Sequence, residues 1–276
     1  IHTLSVGSNP IQSLAFNPTG EWIAVGSAGQ LLVWEWQSET YVVRQQAHDS
    51  TMRCVCYSPD GKLLASGGQD GKIKMWDTGN GTCFVTFGDN RGPVTDLAFN
   101  AKGNAIFSSS MDGTLRGFDL VRYRNFRTMT TPSPVQFSCL ALDPSGEVVC
   151  GGTMDEFSVY VFSVQTGALL EVVTGHQAPV SRLMFSPTDP ILATCGWDGT
   201  VRLIDLYGRG RGAGSREVIR HGETGRDVTC AAYRQDGQEL VVGLLDGSLN
   251  FWDTKELVST GTIDGRKDMW SGRAAT

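Results

Sequence analysis

A histidine, a hydroxyl and an aspartate recur in this chain at one spacing: His48, Ser66 and Asp70, then His176, Thr194 and Asp198. Such a set can do nucleophilic hydrolysis, with the imidazole taking the hydroxyl proton and the carboxylate fixing the imidazole. Trp76 extends the first set, whereas Ile204 stands at the matching place in the second. A later segment keeps Asp112 with no matching histidine. A catalytic centre cannot be lost and regained from copy to copy. A network in which each polar member satisfies another can be omitted locally, so the sets read as structural. No nucleophile elbow, phosphate-cradling loop or metal-ligand cluster accompanies them, and the other histidines, His2 and His221, are scattered. The expectation is a protein that is not an enzyme, with no cofactor, no metal and no small-molecule substrate.

A second chemistry is cationic and aromatic. Residues 121–128, VRYRNFRT, interleave Arg122, Arg124 and Arg127 with Tyr123 and Phe126, the pattern of a strand that contacts RNA through guanidiniums and rings. The segment GRGRGAGSR (208–216) adds Arg209, Arg211 and Arg216 among glycines. Against both stands a net charge of −6, which argues against broad, nonspecific RNA binding, so any contact is expected to be local and salt-sensitive. Arginines also keep an exposed strand edge from pairing with other chains. A glycine-rich basic loop can likewise be merely solvated, so both readings are open for each segment.

Hydrophobic content of 40% and charged content of 19% place the chain among globular proteins. No run of about 18 apolar residues occurs, so no membrane span is expected. The seven cysteines form no C-x-x-C pair and sit in apolar runs, which reads as buried, reduced thiols in an intracellular protein. The chain opens on Ile1 with no signal-peptide core, and a fragment of something longer is expected.

What must position these residues is a repeat. YSPDGKLLASGGQDGKIKMWD (57–77), FNAKGNAIFSSSMDGTLRGFD (99–119), LDPSGEVVCGGTMDEFSVYVFS (142–163), FSPTDPILATCGWDGTVRLID (185–205) and YRQDGQELVVGLLDGSLNFWD (233–253) share one frame, and FNPTGEWIAVGSAGQLLVWEW (16–36) is a sixth copy. An aromatic or branched residue closes each at Trp34, Trp76, Phe118, Phe162, Ile204 and Trp252, about 42–48 residues apart. Each unit holds short runs rich in β-branched and aromatic residues, separated by turn signals such as S-P-D-G and D-G. Four antiparallel strands per unit at this period predict an all-β propeller. The units are expected at roughly 8–47, 48–89, 90–132, 133–174, 175–222 and 223–263 of one domain spanning 1–276.

The S-P-D-G turns, the histidine before the first strand and D-G-x-[IV]-[KR]-x-W-D resemble the WD40 family over nearly the whole chain. This resemblance implies a hydrogen-bonded tetrad at His48, Ser66, Asp70 and Trp76. It also implies a ring of seven blades, so the seventh is expected to be incomplete here, with a six-bladed ring as the alternative. In WD40 folds the residue before the turn aspartate lies near the central top face. The series is Gln69, Met111, Met154, Trp197 and Leu245, which reads either as a protein- or peptide-binding patch or as packing under loops. By repeat alignment Arg122 and Tyr123 fall in the turn after a third strand and Asn125 to Met129 in the outer strand. Alternation then puts Phe126 and Thr128 on one face and Asn125 and Arg127 on the other. GRGRGAGSR aligns with the same turn two blades on, which would put both basic loops on one face.

More particular words, among them VWEWQS (33–38), DLVRYRNFRT (119–128), VFSVQTGALL (161–170) and DGRKDMWSGR (264–273), resemble the periodic tryptophan protein two family. That resemblance implies a propeller from a long nucleolar protein with two tandem propellers and a helical tail. The family belongs to the UTP-B scaffold of the small-subunit processome, associated with the U3 snoRNP. The implied function is a non-catalytic scaffold in pre-18S rRNA processing and small-subunit biogenesis. Its implied partners are other WD40 propeller proteins of that scaffold, with pre-rRNA or snoRNP contact at Arg122, Arg124, Arg127, Arg209 and Arg211. The alternative is a peptide-reading adaptor of ubiquitin-ligase or chromatin type, using the top face around Met154 and Trp197.

Overall fold

A computed structural model describes residues 9–35, 37–38, 40–207, 216–220 and 227–264. The described residues contain no α-helix; they form six four-stranded antiparallel blades of propeller type, in two compact units spanning Ile1–Thr130 and Thr131–Thr276. Within each blade the strands pair in chain order, so no crossover is needed.

The first unit holds three blades. Blade 1 is β1 (Ile11–Phe16), β2 (Trp22–Ser27), β3 (Gln30–Glu35) and β4 (Thr40–Gln46). Blade 2 is β5 (Met52–Tyr57), β6 (Leu63–Gly68), β7 (Ile73–Asp77) and β8 (Cys83–Phe87), and blade 3 is β9 (Val94–Phe99), β10 (Ala105–Ser110), β11 (Thr114–Asp119) and β12 (Arg124–Thr130). Their first strands pack one on the next, β1 on β5 and β5 on β9. Between blades 2 and 3 the alternate residues Ala65, Ile73, Met75 and Phe87 meet Leu97, Ile106 and Phe118. The rings of Phe87 and Phe118 lie 4.6 Å apart there. A single blade cannot bury both faces; stacking does so, and this apolar burial is what holds neighbouring blades together.

The second unit repeats the plan. Blade 4 is β13 (Phe137–Leu142), β14 (Val148–Thr153), β15 (Val159–Ser163) and β16 (Leu169–Val173); blade 5 is β17 (Val180–Phe185), β18 (Ile191–Gly196), β19 (Thr200–Asp205) and β20 (Arg216–Arg220). Blade 6 is β21 (Val228–Tyr233), β22 (Glu239–Leu244), β23 (Ser248–Asp253) and β24 (Ser259–Asp264). The cysteines follow a repeat rule of their own. A Cβ on Gly67, Gly152 or Gly243 would lie 2.6, 2.8 or 2.5 Å from the sulfur of Cys54, Cys139 or Cys230, so each thiol fills the space of a missing side chain on the adjacent strand. All seven cysteines are thiols rather than disulfides, but the expectation that all are buried fails: Cys83 and Cys230 are exposed and Cys56 is half-buried. Cys83 heads the outer strand β8, whose first two residues are exposed.

One irregularity positions the surface. Between the third and fourth strands the register slips in blades 1, 2, 3, 4 and 6. In blade 2, Met75 pairs with Val85 and Trp76 with Cys83, leaving Phe84 as the extra residue of a β-bulge. Phe126 holds that place in blade 3.

Buried tetrads and candidate interaction surfaces

In blade 2 the chain of hydrogen bonds is complete. Trp76 donates its indole Nε1–H to Ser66 Oγ at 3.0 Å, and Ser66 Oγ lies 2.9 Å from His48 Nε2. His48 Nδ1 lies 3.1 Å from both oxygens of Asp70. An indole can only donate and a carboxylate only accept, so the proton order is fixed. Ser66 gives its hydrogen to Nε2, and Nδ1–H is donated to Asp70. Asp70 also accepts the backbone N–H of Lys72, closing the β6–β7 turn. Ser66 and His48 are buried, and the Ser66 hydroxyl, the candidate nucleophile, is hydrogen-bonded to the indole and the imidazole. Blade 5 repeats the arrangement: His176 Nε2 is 2.8 Å from Thr194 Oγ1, and Nδ1 is 3.0 Å from Asp198 Oδ2. Ile204 supplies no fourth member, being an apolar core residue.

The electrostatics follow from burial and partners. Burial pushes the His48 imidazole below its ordinary value, and the opposing pull of Asp70 does not restore it. At Asp198 burial acts to raise the carboxyl, but hydrogen bonds from His176, the Gln177 amide and Thr200 outweigh it and hold the group well below the carboxylate range. The two act on stability with the same sign. Between the folded and unfolded values of His48 the unfolded chain binds the extra proton, so stability falls as pH drops below about 6.5. The contribution of Asp198 is fully present above its unfolded value near 3.8 and is lost below it. Thermal melts should therefore fall in midpoint from pH 7 to pH 5. A His48→Gln variant should be less stable at pH 7 and show a flatter slope over that interval; an unchanged slope would remove His48 as its source.

Blade 3 departs from the pattern in two linked places. His48 and His176 each lie 22 residues before their aspartate, and Asn90 lies the same number before Asp112. Asn90 is buried, yet neither its Oδ1 nor its Nδ2 has a partner among the described residues, and Ser108, at the place of Ser66, has an unpartnered Oγ. Asp112 is held instead by the Arg91 amide, Thr114 and Arg116. Phe118 replaces the tryptophan and brings no donor. The second change is at Ser110, which stands where blades 2 and 5 have Gly68 and Gly196. A Cβ on those glycines would lie 2.4 and 2.5 Å from the imidazole Nδ1, so the imidazole requires the glycine. Blade 3 carries a smaller carboxamide and, with it, a serine whose Oγ donates to Gly92 O. Asn90 was missed in the sequence because it is not a histidine; the fixed spacing was the signal for it.

The series before the turn aspartate occupies one repeated backbone position. Gln69 and Met111 donate their amides to Thr51 O and Pro93 O in the first unit, and Met154, Trp197 and Leu245 donate to Gln136 O, Pro179 O and Asp227 O in the second. Met111 and Met154 are half-buried and Gln69 is exposed, while Trp197 and Leu245 expose 44% and 70% of their surface. Of the candidate basic residues, Arg122 lies in the β11–β12 turn and Arg124 begins β12, both exposed. Arg127 is half-buried, on the inward-facing side of β12 with Asn125 and Met129. Phe126 lies over Gly117 and meets Phe107 edge-on at 5.9 Å, so that ring is accounted for by packing. Arg209 and Arg211 lie outside the described residues. Among the described residues no group of three or more His, Cys, Asp or Glu is placed to hold a metal, and no helix is long and apolar enough to cross a membrane.

Sequential four-stranded blades with a His–Ser/Thr–Asp network at the second hairpin define a propeller of the WD40 type. The family profile described as IFT122 first beta-propeller matches residues 10–273, and the chain belongs to that family. Among individual proteins, it is 46% identical over 277 residues to the periodic tryptophan protein 2 homolog of Dictyostelium discoideum, covering 99% of this chain and 29% of that protein. It is 48% identical over 275 residues to the Mus musculus homolog (99% and 29%) and 46% identical over 275 residues to periodic tryptophan protein 2 of Saccharomyces cerevisiae (99% and 29%). The chain is thus a homologue of periodic tryptophan protein 2 and spans about three tenths of the length of these relatives.

Proposed function

We propose that the protein is a non-catalytic scaffold of the small-subunit processome, acting in the nucleolus in pre-18S rRNA processing and small ribosomal subunit biogenesis. The observation that carries this reading is likeness along essentially the whole chain to periodic tryptophan protein 2 from several eukaryotes. The physical reading agrees with it: the hydroxyls of the His–Ser/Thr–Asp sets are buried and hydrogen-bonded to the imidazoles, which suits blade stability, and what remains for function is surface. Its partners would be other propeller proteins of the scaffold, with pre-rRNA and the U3 snoRNP beyond them. Affinity purification of the full-length protein, with RNA crosslinking in cells, should recover processome proteins, U3 RNA and pre-rRNA. Recovery of none of these would overturn the reading. The exposed indole of Trp197 favours a second reading, capture of a peptide at that turn. In the same purification, Trp197→Ala should leave the processome set intact under the first reading and strip the bound partners under the second.

A further inference from the structure

The turn between the third and fourth strands of blade 3 is more elaborate than its fold requires. In this frame an aspartate side chain takes two backbone amides: Asp119 accepts from Val121 and Arg122 at 2.7 and 3.1 Å, as Asp77 does from Gly79 and Asn80 at 2.8 and 3.3 Å. The fifth residue then turns to positive φ. Glycine takes that place in blades 2 and 4, Gly81 at 69° and Gly167 at 77°, whereas blade 6 has the half-buried Leu257 at 54° and blade 3 has Tyr123 at 51°. A bulky residue held there costs backbone strain, and glycine would carry the same turn without it. Burial does not repay that cost, because Tyr123 is 52% exposed.

What the strained turn presents is a composite surface. The Tyr123 ring stands edge-to-face with Phe84, centroids 6.1 Å apart at 72°. Phe84 is itself the bulged residue of β8 in the adjoining blade and is 41% exposed. Arg122 and Arg124 flank the tyrosine, both exposed, and Val121 at the tip is 74% exposed. The Asp119 carboxylate lies within electrostatic reach of both guanidiniums and is occupied by the two turn amides. Two rings fixed on separate blades offer π-faces at little entropic cost, and two cations beside them suit a phosphate backbone rather than an apolar peptide. We propose that Tyr123 and Phe84, with Arg122 and Arg124, form a stacking site for a single-stranded RNA segment. The inference deepens the scaffold reading, on which it rests for the presence of RNA.

The test is fluorescence anisotropy of the full-length protein with a labelled single-stranded RNA of roughly ten nucleotides, together with mapping of ultraviolet crosslinks to peptides. Tyr123→Gly should weaken binding about 5- to 150-fold, the range of one lost base stack. Its melting temperature should be retained, because glycine suits the turn. Tyr123→Phe should bind within about twofold of the parent, since the stacking ring is kept. Removing both cations (Arg122→Gln with Arg124→Gln) should lower the slope of log K on log salt by about 1.4. Equal affinity of Tyr123→Gly and parent, or crosslinks confined to other blades, would overturn the assignment. So would loss of protein partners from Tyr123→Gly with RNA affinity intact, which makes the surface a protein dock. Purification from cells separates the two readings. RNA affinity lost with the processome set retained is the expected result for the stacking site. RNA affinity in a protein that never recovers processome components sinks the scaffold alone.

Discussion

Gly68→Ala will destabilise the protein by roughly 3–5 kcal/mol, although it adds a single methyl group. That methyl would stand 2.4 Å from Asp70 Oδ1 and 2.4 Å from His48 Nδ1, far inside contact distance. The backbone cannot step away: Gly68 closes β6, pairs with Met52 on one side, and donates its amide to Lys72 O at 3.1 Å. The imidazole must move instead. It is buried, so moving it breaks its bonds to Ser66 and Asp70 and leaves Ser66 with the Trp76 donor alone. Overpacking costs about 1–3 kcal/mol and each orphaned buried polar group about as much again. Gly196→Ala should behave alike, for the methyl would lie 2.5 Å from His176 Nδ1. Gly88→Ala is the control: nothing lies within 4 Å of the added carbon, and that variant should sit within about 0.5 kcal/mol of the parent. Chemical denaturation of the three decides the matter. A Gly68→Ala loss below about 1 kcal/mol would mean that the tetrad yields without strain.

The repeat made much of this legible in advance. The S-P-D-G and D-G turns mark where strands end and begin, because a local rule governs each of them. In the second copy of the repeat S-P-D-G (58–61) falls between Met52–Tyr57 and Leu63–Gly68, and D-G (70–71) falls between Leu63–Gly68 and Ile73–Asp77. What stayed hidden depends on contacts across strands. The slip that lifts Phe84 out of β8 has no sequence mark, since a bulge is set by how two strands meet. The strain at Tyr123 is masked for a related reason: D-x-x-x-G is readable in blade 2, but a tyrosine in the glycine place looks like ordinary chain until φ is known. In VRYRNFRT the residue types suggest one ribbon of three arginines. The fold divides it into an exposed turn ending at Tyr123 and the strand β12, which Arg124 begins and in which Phe126 packs on Phe107 and Arg127 is half-buried.

Asn90→His and Ser110→Gly should each be unfavourable alone and compensate when combined. An imidazole at position 90 would point at Ser110, whose Cβ stands where blades 2 and 5 tolerate none; the clash should cost about 1–3 kcal/mol. Ser110→Gly alone removes the bonds from its Oγ to Gly92 O and from the Asp112 amide to that oxygen, at about 1 kcal/mol. With both changes the imidazole has its room. It can take the hydrogen of Ser108 Oγ, now unpartnered, and donate to Asp112, as His176 does with Thr194 and Asp198. The unsatisfied amide of Asn90 disappears in the same step. Phe118 supplies no indole, so the rebuilt network should match blade 5 rather than blade 2. The coupling in a double-mutant cycle should be favourable by about 1–3 kcal/mol. Additive losses would show that the asparagine and the serine are independent, and that blade 3 lacks the histidine for a reason other than the space that Ser110 fills.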